Sequence, residues 1–316
     1  MRALVTGGAG FIGSHLVDAL LADGARVIVL DDVSTGTPAN VAPAADLVTG
    51  DVADPAAVAP VMAGCDVVFH LAARGSVLRS VERPLETDRA NVAGTLTVLC
   101  AAQEAGVRRV VVSSSSSVYG GAEHRPTRED APLQPRSPYA VSKLAGEQYA
   151  RVFAALHGLE TVCLRYFNVF GPRQRADSQY AAVVPRFIDA LLDGRSPEVH
   201  GDGAQSRDFT FVADAVQANV RAAAAPADTC SGRVYNVARS EPHTVLELLT
   251  ILTELIAVDV TARHVPARAG DIRHSHAAID AAVRDLGYRP TVALGDGLAE
   301  TVAWTRAASR TVGSPP

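Results

Sequence analysis

The sequence is poor in several features that would place it in well-known classes. Its 316 residues include only four cysteines, Cys65, Cys100, Cys163 and Cys230, far apart and without C-x-x-C spacing. That argues against a disulfide framework or a zinc site and fits reduced thiols in a cytoplasmic protein. No apolar run is long enough to cross a bilayer, and an apolar strand begins within three residues of Met1 with no cleavable leader before it. Neither a membrane span nor export is expected. Basic residues are scattered and the net charge is −5, so there is no electrostatic case for nucleic acid or an anionic membrane. His274 and His276 lack a third ligand at metal-binding spacing, and no metal is expected.

What is present is rhythm. Short apolar runs at 3–6, 26–31, 46–49, 67–71, 109–113 and 161–164 alternate with helix-length segments at 11–22, 55–62, 85–105 and 139–157. Near-continuous Val/Leu/Ile strands separated by helices predict a parallel sheet covered on both faces. The rhythm changes after about Arg165, where Gly171-Pro172 and Gly201-Asp202-Gly203 interrupt it. Residues 1–165 are expected to form the sheet domain and 166–316 mainly a smaller substrate-binding domain. Segments near 210–240 are expected to return to the first domain, with 233–237 as a return strand.

Between the first strand and first helix lies Gly7-Gly8-Ala9-Gly10-Phe11-Ile12-Gly13. Glycines there allow a tight turn and close approach of a pyrophosphate, which the helix N-terminus attracts. Asp31 follows Gly13 by 18 residues, at the end of the second strand, where a carboxylate accepts from adenosine ribose hydroxyls. Its charge, with Asp32 beside it, disfavours a 2′-phosphate and points to NAD. The expected fold class is therefore α/β, a Rossmann doubly wound parallel sheet. Other strand ends should face the same crevice: Asp51 and Val52 near the adenine, and the small Leu71-Ala72-Ala73 segment along the cofactor. Asn91 is either a further anchor there or a helix-packing residue.

Tyr139 and Lys143, four apart after Pro135 and Pro138, fall one turn apart on one helix face. A phenol alone is a poor base at neutral pH, with a pKa of about 10. A nearby ammonium favours the phenolate, and a serine from the run Ser113 to Ser117 can share the proton. This is equipment for removing a proton from an alcohol while a hydride leaves its carbon.

The glycine segment with Thr6, the serine run with Val118-Tyr119-Gly120, Tyr139-x-x-x-Lys143, the segment 165–172 and Arg207-Asp208-Phe209 together resemble the extended short-chain dehydrogenase/reductase superfamily, across nearly the whole chain. Within it the chain is most similar to UDP-sugar 4-epimerases, and segments at 75–77, 180–185 and 270–275 resemble the branch acting on UDP-N-acetylglucosamine. The resemblance implies a bound NAD and a one-site redox cycle through a 4-keto sugar. It implies Tyr139 as base, Lys143 as its cationic partner and holder of the nicotinamide ribose, and Tyr166 beside the cofactor. Ser115 would align the sugar oxygen, with Ser114 or Ser116 in its place if the loop is registered differently. For the nucleotide sugar it implies Arg207 and Arg268 as diphosphate clamps, with Asn168 and Asp271 assisting and Val199-His200 along the uracil. Ser76, Val184 and Ser275 complete the expected substrate set.

Related 4,6-dehydratases carry an Asp-Glu pair where this chain has Ser116 and Ser117, and related UDP-glucuronate decarboxylases keep the Glu. Without an acid there, elimination lacks a proton donor, whereas epimerisation needs none. Ser275, in place of a bulky tyrosine, leaves room for an N-acetyl group. Arg74 and the serine run leave UDP-glucuronate 4-epimerisation as the alternative. The family's usual homodimer, through helices near 85–105 and 139–157, is also expected. A non-catalytic NAD-sensing protein is the reading from another class, which an intact Tyr139, Lys143 and Ser115 oppose.

Overall fold

The computed structural model describes residues 1–122, 124–176, 181–267 and 272–312. Strands β1 (Arg2–Thr6), β2 (Arg26–Asp31), β3 (Asp46–Thr49), β4 (Val67–His70), β5 (Arg109–Ser115) and β6 (Glu160–Tyr166) follow the predicted rhythm. Shorter strands come next: β7 (Val169–Phe170), β8 (Glu198–His200), β9 (Ser206–Asp208) and β10 (Thr210–Phe211). The series closes with β11 (Arg233–Val237), β12 (Pro242–Thr244) and β13 (Arg263–Val265). Helices α1 (Phe11–Ala22), α2 (Pro55–Met62), α3 (Val77–Glu82), α4 (Pro84–Asp88), α5 (Gly94–Glu104) and α6 (Pro138–His157) belong to the first half. The second half holds α7 (Val183–Leu192), α8 (Val212–Ala224), α9 (Ala227–Cys230), α10 (Val245–Ile256), α11 (Asp280–Leu286) and α12 (Leu294–Val312).

Seven strands form one sheet in the order β11-β6-β5-β4-β1-β2-β3, every pair parallel. The order reverses between β1 and β4, and a crevice opens at such a switch point beyond the carboxyl ends of the strands. β11 is the returning strand, paired with β6 in register from Arg233 opposite Val162 to Val237 opposite Tyr166. Two apolar layers cover the sheet, because strands buried on both faces present alternate residues to opposite sides. Val5, Val29, Phe69 and Leu164 face one layer, with α1 and α8; Leu4, Ile28, Val68 and Cys163 face the other, with α2 and α5. A separate apolar cluster joins α7, α10 and α12 through residues such as Phe187, Leu248 and Leu298.

Local chemistry explains the element ends. Ser137 caps α6 by accepting from the Ala140 amide at 3.1 Å, with Pro138 in the first turn. The fully buried Arg109 at the start of β5 donates to the carbonyls of Ala222 and Ala225, each at 2.7 Å, at the end of α8. A guanidinium there satisfies orphan carbonyls at a helix's negative end, so it locks α8 to the sheet.

The expected single helix over 85–105 is interrupted. Between α4 and α5, residues Arg89–Ala93 form one wide π turn, and such turns commonly redirect a side chain at a functional site. Here the redirected residue is Asn91. It accepts from the Arg74 amide at 2.7 Å and donates to the Ser142 hydroxyl at 2.9 Å, fixing the segment after β4 to α6.

Candidate active site

A cavity of about 770 Å³ opens at the carboxyl ends of the strands, where the topology predicts one. One end is the glycine turn. Gly7 has φ +73, and a methyl built on it would lie 2.6 Å from the Ala72 amide nitrogen; one on Gly13 would lie 2.1 Å from the Gly7 carbonyl oxygen. Side chains at either place would close the turn. Gly10, Phe11, Ile12 and Gly13 line the cavity where α1 begins, and no acidic residue occupies that first turn. The positive helix end therefore stands ready for a pyrophosphate.

Asp31, Asp32, Asp51 and Val52 line the same end, and Leu71, Ala72 and Ala73 form the floor beyond it. Asp31 has a second task that its sequence position did not disclose. Its carboxylate accepts from the amides of Ala9 at 3.0 Å and Val33 at 2.9 Å, tying the glycine turn to the end of β2. Burial raises its pKa and these two amides oppose the rise. Asp32 pairs with Arg74 at 2.9 Å, and Ser34 hydrogen-bonds to both residues. Arg74 is thus turned toward the adenosine end. Asn91 does not line the cavity and acts as an anchor behind it.

At the other end stand Ser115, Tyr139 and Lys143. Lys143 Nζ donates to the Ser113 carbonyl at 2.8 Å and to the Ser113 hydroxyl at 3.1 Å. Burial raises the pKa of Tyr139, and a hydrogen bond with Ser115 opposes that rise. Burial pulls Lys143 down to about 8, with Glu147 opposing. Phenol, hydroxyl and ammonium line the same wall, an arrangement in which a phenolate at Tyr139 can accept a proton from an alcohol while the Ser115 hydroxyl hydrogen-bonds to it and the Lys143 ammonium favours its negative charge.

The serine run resolves by strand geometry. Ser114 lines the cavity, but its hydroxyl donates to Glu147 Oε1 at 2.5 Å, so it is not a free substitute for Ser115. Ser116 lines the cavity as the first residue of the 3-10 turn Ser116–Tyr119. Ser117 also lines it, and its hydroxyl is buried without a hydrogen-bond partner. An orphaned buried hydroxyl costs stability, which a ligand hydroxyl would recover. Only its place in the run could have pointed to it.

The remaining expected substrate residues divide. Arg207, Asn168 and Ser275 line the cavity, as does Tyr166, whose hydroxyl bonds to the Asn219 amide. Ser76 does not; its hydroxyl caps α3 by accepting from the Arg79 amide at 3.2 Å. Val184 and Val199 are buried in the α7/α10/α12 cluster, where apolar side chains on β8 and α7 are drawn. His200 Nδ1 bonds to the Pro266 carbonyl at 3.2 Å, outside the cavity wall. Arg268 and Asp271 lie outside the described residues.

Two further features bear on the site. Glu147, with Arg165, forms a buried ion pair directly behind the serine run. And Lys143 is the only lysine in the chain: 28 of the 29 Lys and Arg residues are arginine.

A seven-stranded parallel sheet with a glycine turn at its switch point, facing a Tyr-Lys-Ser cluster across one cavity, defines a dinucleotide-dependent enzyme of the Rossmann class. Residues 3–238 match the NAD dependent epimerase/dehydratase family, and the chain belongs to it. Among its relatives, the UDP-glucose 4-epimerase of Mycolicibacterium smegmatis is 43% identical, covering 97% of this chain and 99% of its own. The dTDP-glucose 4,6-dehydratase of Streptomyces griseus is 39% identical, covering 95% and 93%.

Solved structures agree in fold. The UDP-glucose 4-epimerase of Thermotoga maritima with UDP-glucose superposes with a TM-score of 0.94 at 35% identity, covering 98% of this chain and 100% of that one. The UDP-N-acetylglucosamine 4-epimerase of Methanobrevibacter ruminantium in complex with UDP-N-acetylmuramic acid gives 0.92 at 38%, covering 97% and 98%. MoeE5 in complex with UDP-glucuronic acid and NAD gives 0.89 at 38%, covering 98% and 100%. NAD fits the cavity described here: a glycine turn with no room for side chains, a helix N-terminus, and carboxylates at the adenosine end.

Proposed function

We propose that this chain is an NAD-dependent 4-epimerase of a UDP-sugar, acting through a transient 4-keto intermediate. The observation that carries the reading is where the carboxylates are. Among the described residues the acids lining the cavity are Asp31, Asp32 and Asp51, all at the adenosine end. Around Tyr139 the wall is serine. Elimination of a neighbouring hydroxyl needs a proton donor at that wall, and none of Ser115, Ser116 and Ser117 can serve as a carboxylic acid. Reversible oxidation at one carbon needs only the base that is present.

NAD, when bound, accepts a hydride and returns it. The chain's own residues do the rest. Tyr139 takes the proton of the 4-hydroxyl and gives it back, Ser115 orients that hydroxyl, and Lys143 stabilises the phenolate. Arg207 offers a guanidinium to the diphosphate, with Asn168 beside it. We assign NAD to the 1–165 portion and the nucleotide sugar to the 166–316 portion, with Arg268 and Asp271 proposed to complete the clamp.

The sugar we infer is UDP-N-acetylglucosamine or UDP-glucose, with their C4 epimers, because Ser275 leaves the wall small at the cavity. UDP-glucuronate is the second reading. Arg173 and Arg175 line the cavity in addition to Arg207, but Arg173 is paired with Asp18 and Arg175 donates to the Thr35 carbonyl, both near the cofactor turn. Arg74 does not favour it, being engaged with Asp32. NMR analysis of products from each UDP-sugar tests the assignment: C4 inversion supports it, and loss of water or carbon dioxide contradicts it.

We also infer a homodimer, with a second copy covering α4 and α6. Leu85 is 84% exposed and Leu156 74%, and Val141 and Val152 are exposed on α6 as well. Apolar side chains this exposed, on helices packed side by side, suit a self-complementary helical interface.

A further inference from the structure

Lys143 is nearly fully buried, yet the oxygens its ammonium reaches on β5 are neutral, the carbonyl and hydroxyl of Ser113. Burying an ammonium among neutral groups is costly unless a counter-charge is near. One turn further along α6 stands Glu147, only 1% exposed and absent from the cavity wall. Its Oε1 accepts from the Ser114 hydroxyl and from Arg165 Nε at 2.8 Å, and its Oε2 from Arg165 Nη2 at 2.7 Å. Lys143 thus holds Ser113 and Glu147 holds Ser114, adjacent residues of the strand end that presents Ser115.

We propose that Glu147 is a positioning residue for the Tyr139–Lys143 pair: its buried carboxylate is the counter-charge of the chain's sole lysine and, through Ser114, the peg that fixes the strand end carrying Ser115.

The surroundings support this. Burial lowers Lys143 to about 8, and Glu147 is the chief group opposing that fall. From β4, His70 faces Lys143 as a neutral ring, its pKa held at about 3 by burial. From β6, Cys163 is a neutral thiol because burial raises its pKa, so it supplies no anion at neutral pH. Arg165, also on β6, directs Nη1 away, to the Tyr119 hydroxyl at 2.7 Å, with its guanidinium 4.7 Å over the Tyr119 ring. Tyr119 stays protonated, its pKa raised to about 12 by burial. Glu129 and Arg151 act on Tyr119 and Cys163. Arg165 donates to the Glu129 carbonyl and Tyr119 to Asn236 Oδ1, anchoring the pair across the sheet to β11.

The proposal rests on the proton-transfer role given to Tyr139 and Lys143, but its test needs no substrate. With one lysine, protein labelled with ε-¹³C-lysine gives one side-chain resonance, and its pH titration in NAD-loaded protein reads Lys143 directly. In Glu147→Gln the midpoint should fall by about one pH unit or more. Because that variant strands the Arg165 charge, Glu147→Gln/Arg165→Met removes both ions and keeps the fold testable. It should lower the midpoint by less than Glu147→Gln does, because the opposing Arg165 charge leaves as well, and the alkaline limb of kcat should move down with it while KM stays within about twofold. A midpoint unchanged from wild type in either folded variant overturns the proposal. A wild type that titrates as described but converts no UDP-sugar would instead sink the epimerase reading alone.

Discussion

Lys143 Nζ lies 2.8 Å from the carbonyl oxygen of Ser113, two residues before Ser115 on the same strand. One bond therefore ties the cationic group on α6 to the strand end that presents the Ser115 hydroxyl to the cavity. The geometry of the Tyr139, Ser115 and Lys143 cluster is set by the sheet and one helix, not by loops.

Removing the phenol tests that geometry. Tyr139→Phe should lower kcat by about 10² to 10⁴-fold, the usual contribution of a positioned acid–base group. Bound NAD should remain, measured by absorbance of the denatured supernatant. Unchanged turnover would remove Tyr139 from the chemistry.

The Arg74–Asp32 ion pair makes a prediction about sugar choice. Arg74→Gln should weaken retention of NAD, because it frees the adenosine-side loop, and leave the ratio of kcat/KM among UDP-sugars within about twofold. A selective loss with UDP-glucuronate would instead place Arg74 on a carboxylate.

His70 is a buried ring between the hydroxyls of Thr6 at 2.8 Å and Thr95 at 2.9 Å. Its folded pKa is depressed to about 3 from 6.5. Between those values the unfolded chain binds a proton that the folded chain refuses. Stability is therefore lost as pH falls from 6.5 toward 3, by up to about 1.4 kcal/mol per unit, and is unaffected by this group above 6.5. Urea unfolding at pH 5 and pH 7 should show a steeper loss for wild type than for His70→Asn.

The exposed apolar face predicts assembly. Leu85→Glu with Leu156→Glu should shift a dimer to monomer in light scattering behind size exclusion, with helix content retained. A monomeric wild type would contradict the inferred homodimer.

Most of the fold was legible because parallel strands buried on both faces write themselves as apolar runs, and the glycine turn marks where the crossover begins. The wide turn at Arg89–Ala93 was not, since a helix with one extra residue in a turn keeps a helical composition. At the site, Tyr139, Lys143, Ser115 and Asp31 could be read from spacing and motif. Ser114 could not be separated from Ser115, because the difference lies in which hydroxyl meets Glu147 across the sheet. The side chains of Val184 and Val199 belong to the α7/α10/α12 core, a placement set by packing partners far away in sequence. Arg165 and Glu147 were legible only as charges, since their pairing joins a strand to a helix.

Oxidation and reduction at one carbon, with the same hydride returning, leave the hydrogen at that carbon unexchanged with solvent. The direct measurement is turnover of UDP-N-acetylglucosamine, UDP-glucose and UDP-glucuronate in deuterated water, followed by proton NMR of the products. The expected product is a C4 epimer with its C4 proton retained and no deuterium at C4 or C5. A 4-keto-6-deoxy product, or deuterium entering at C5, would contradict it.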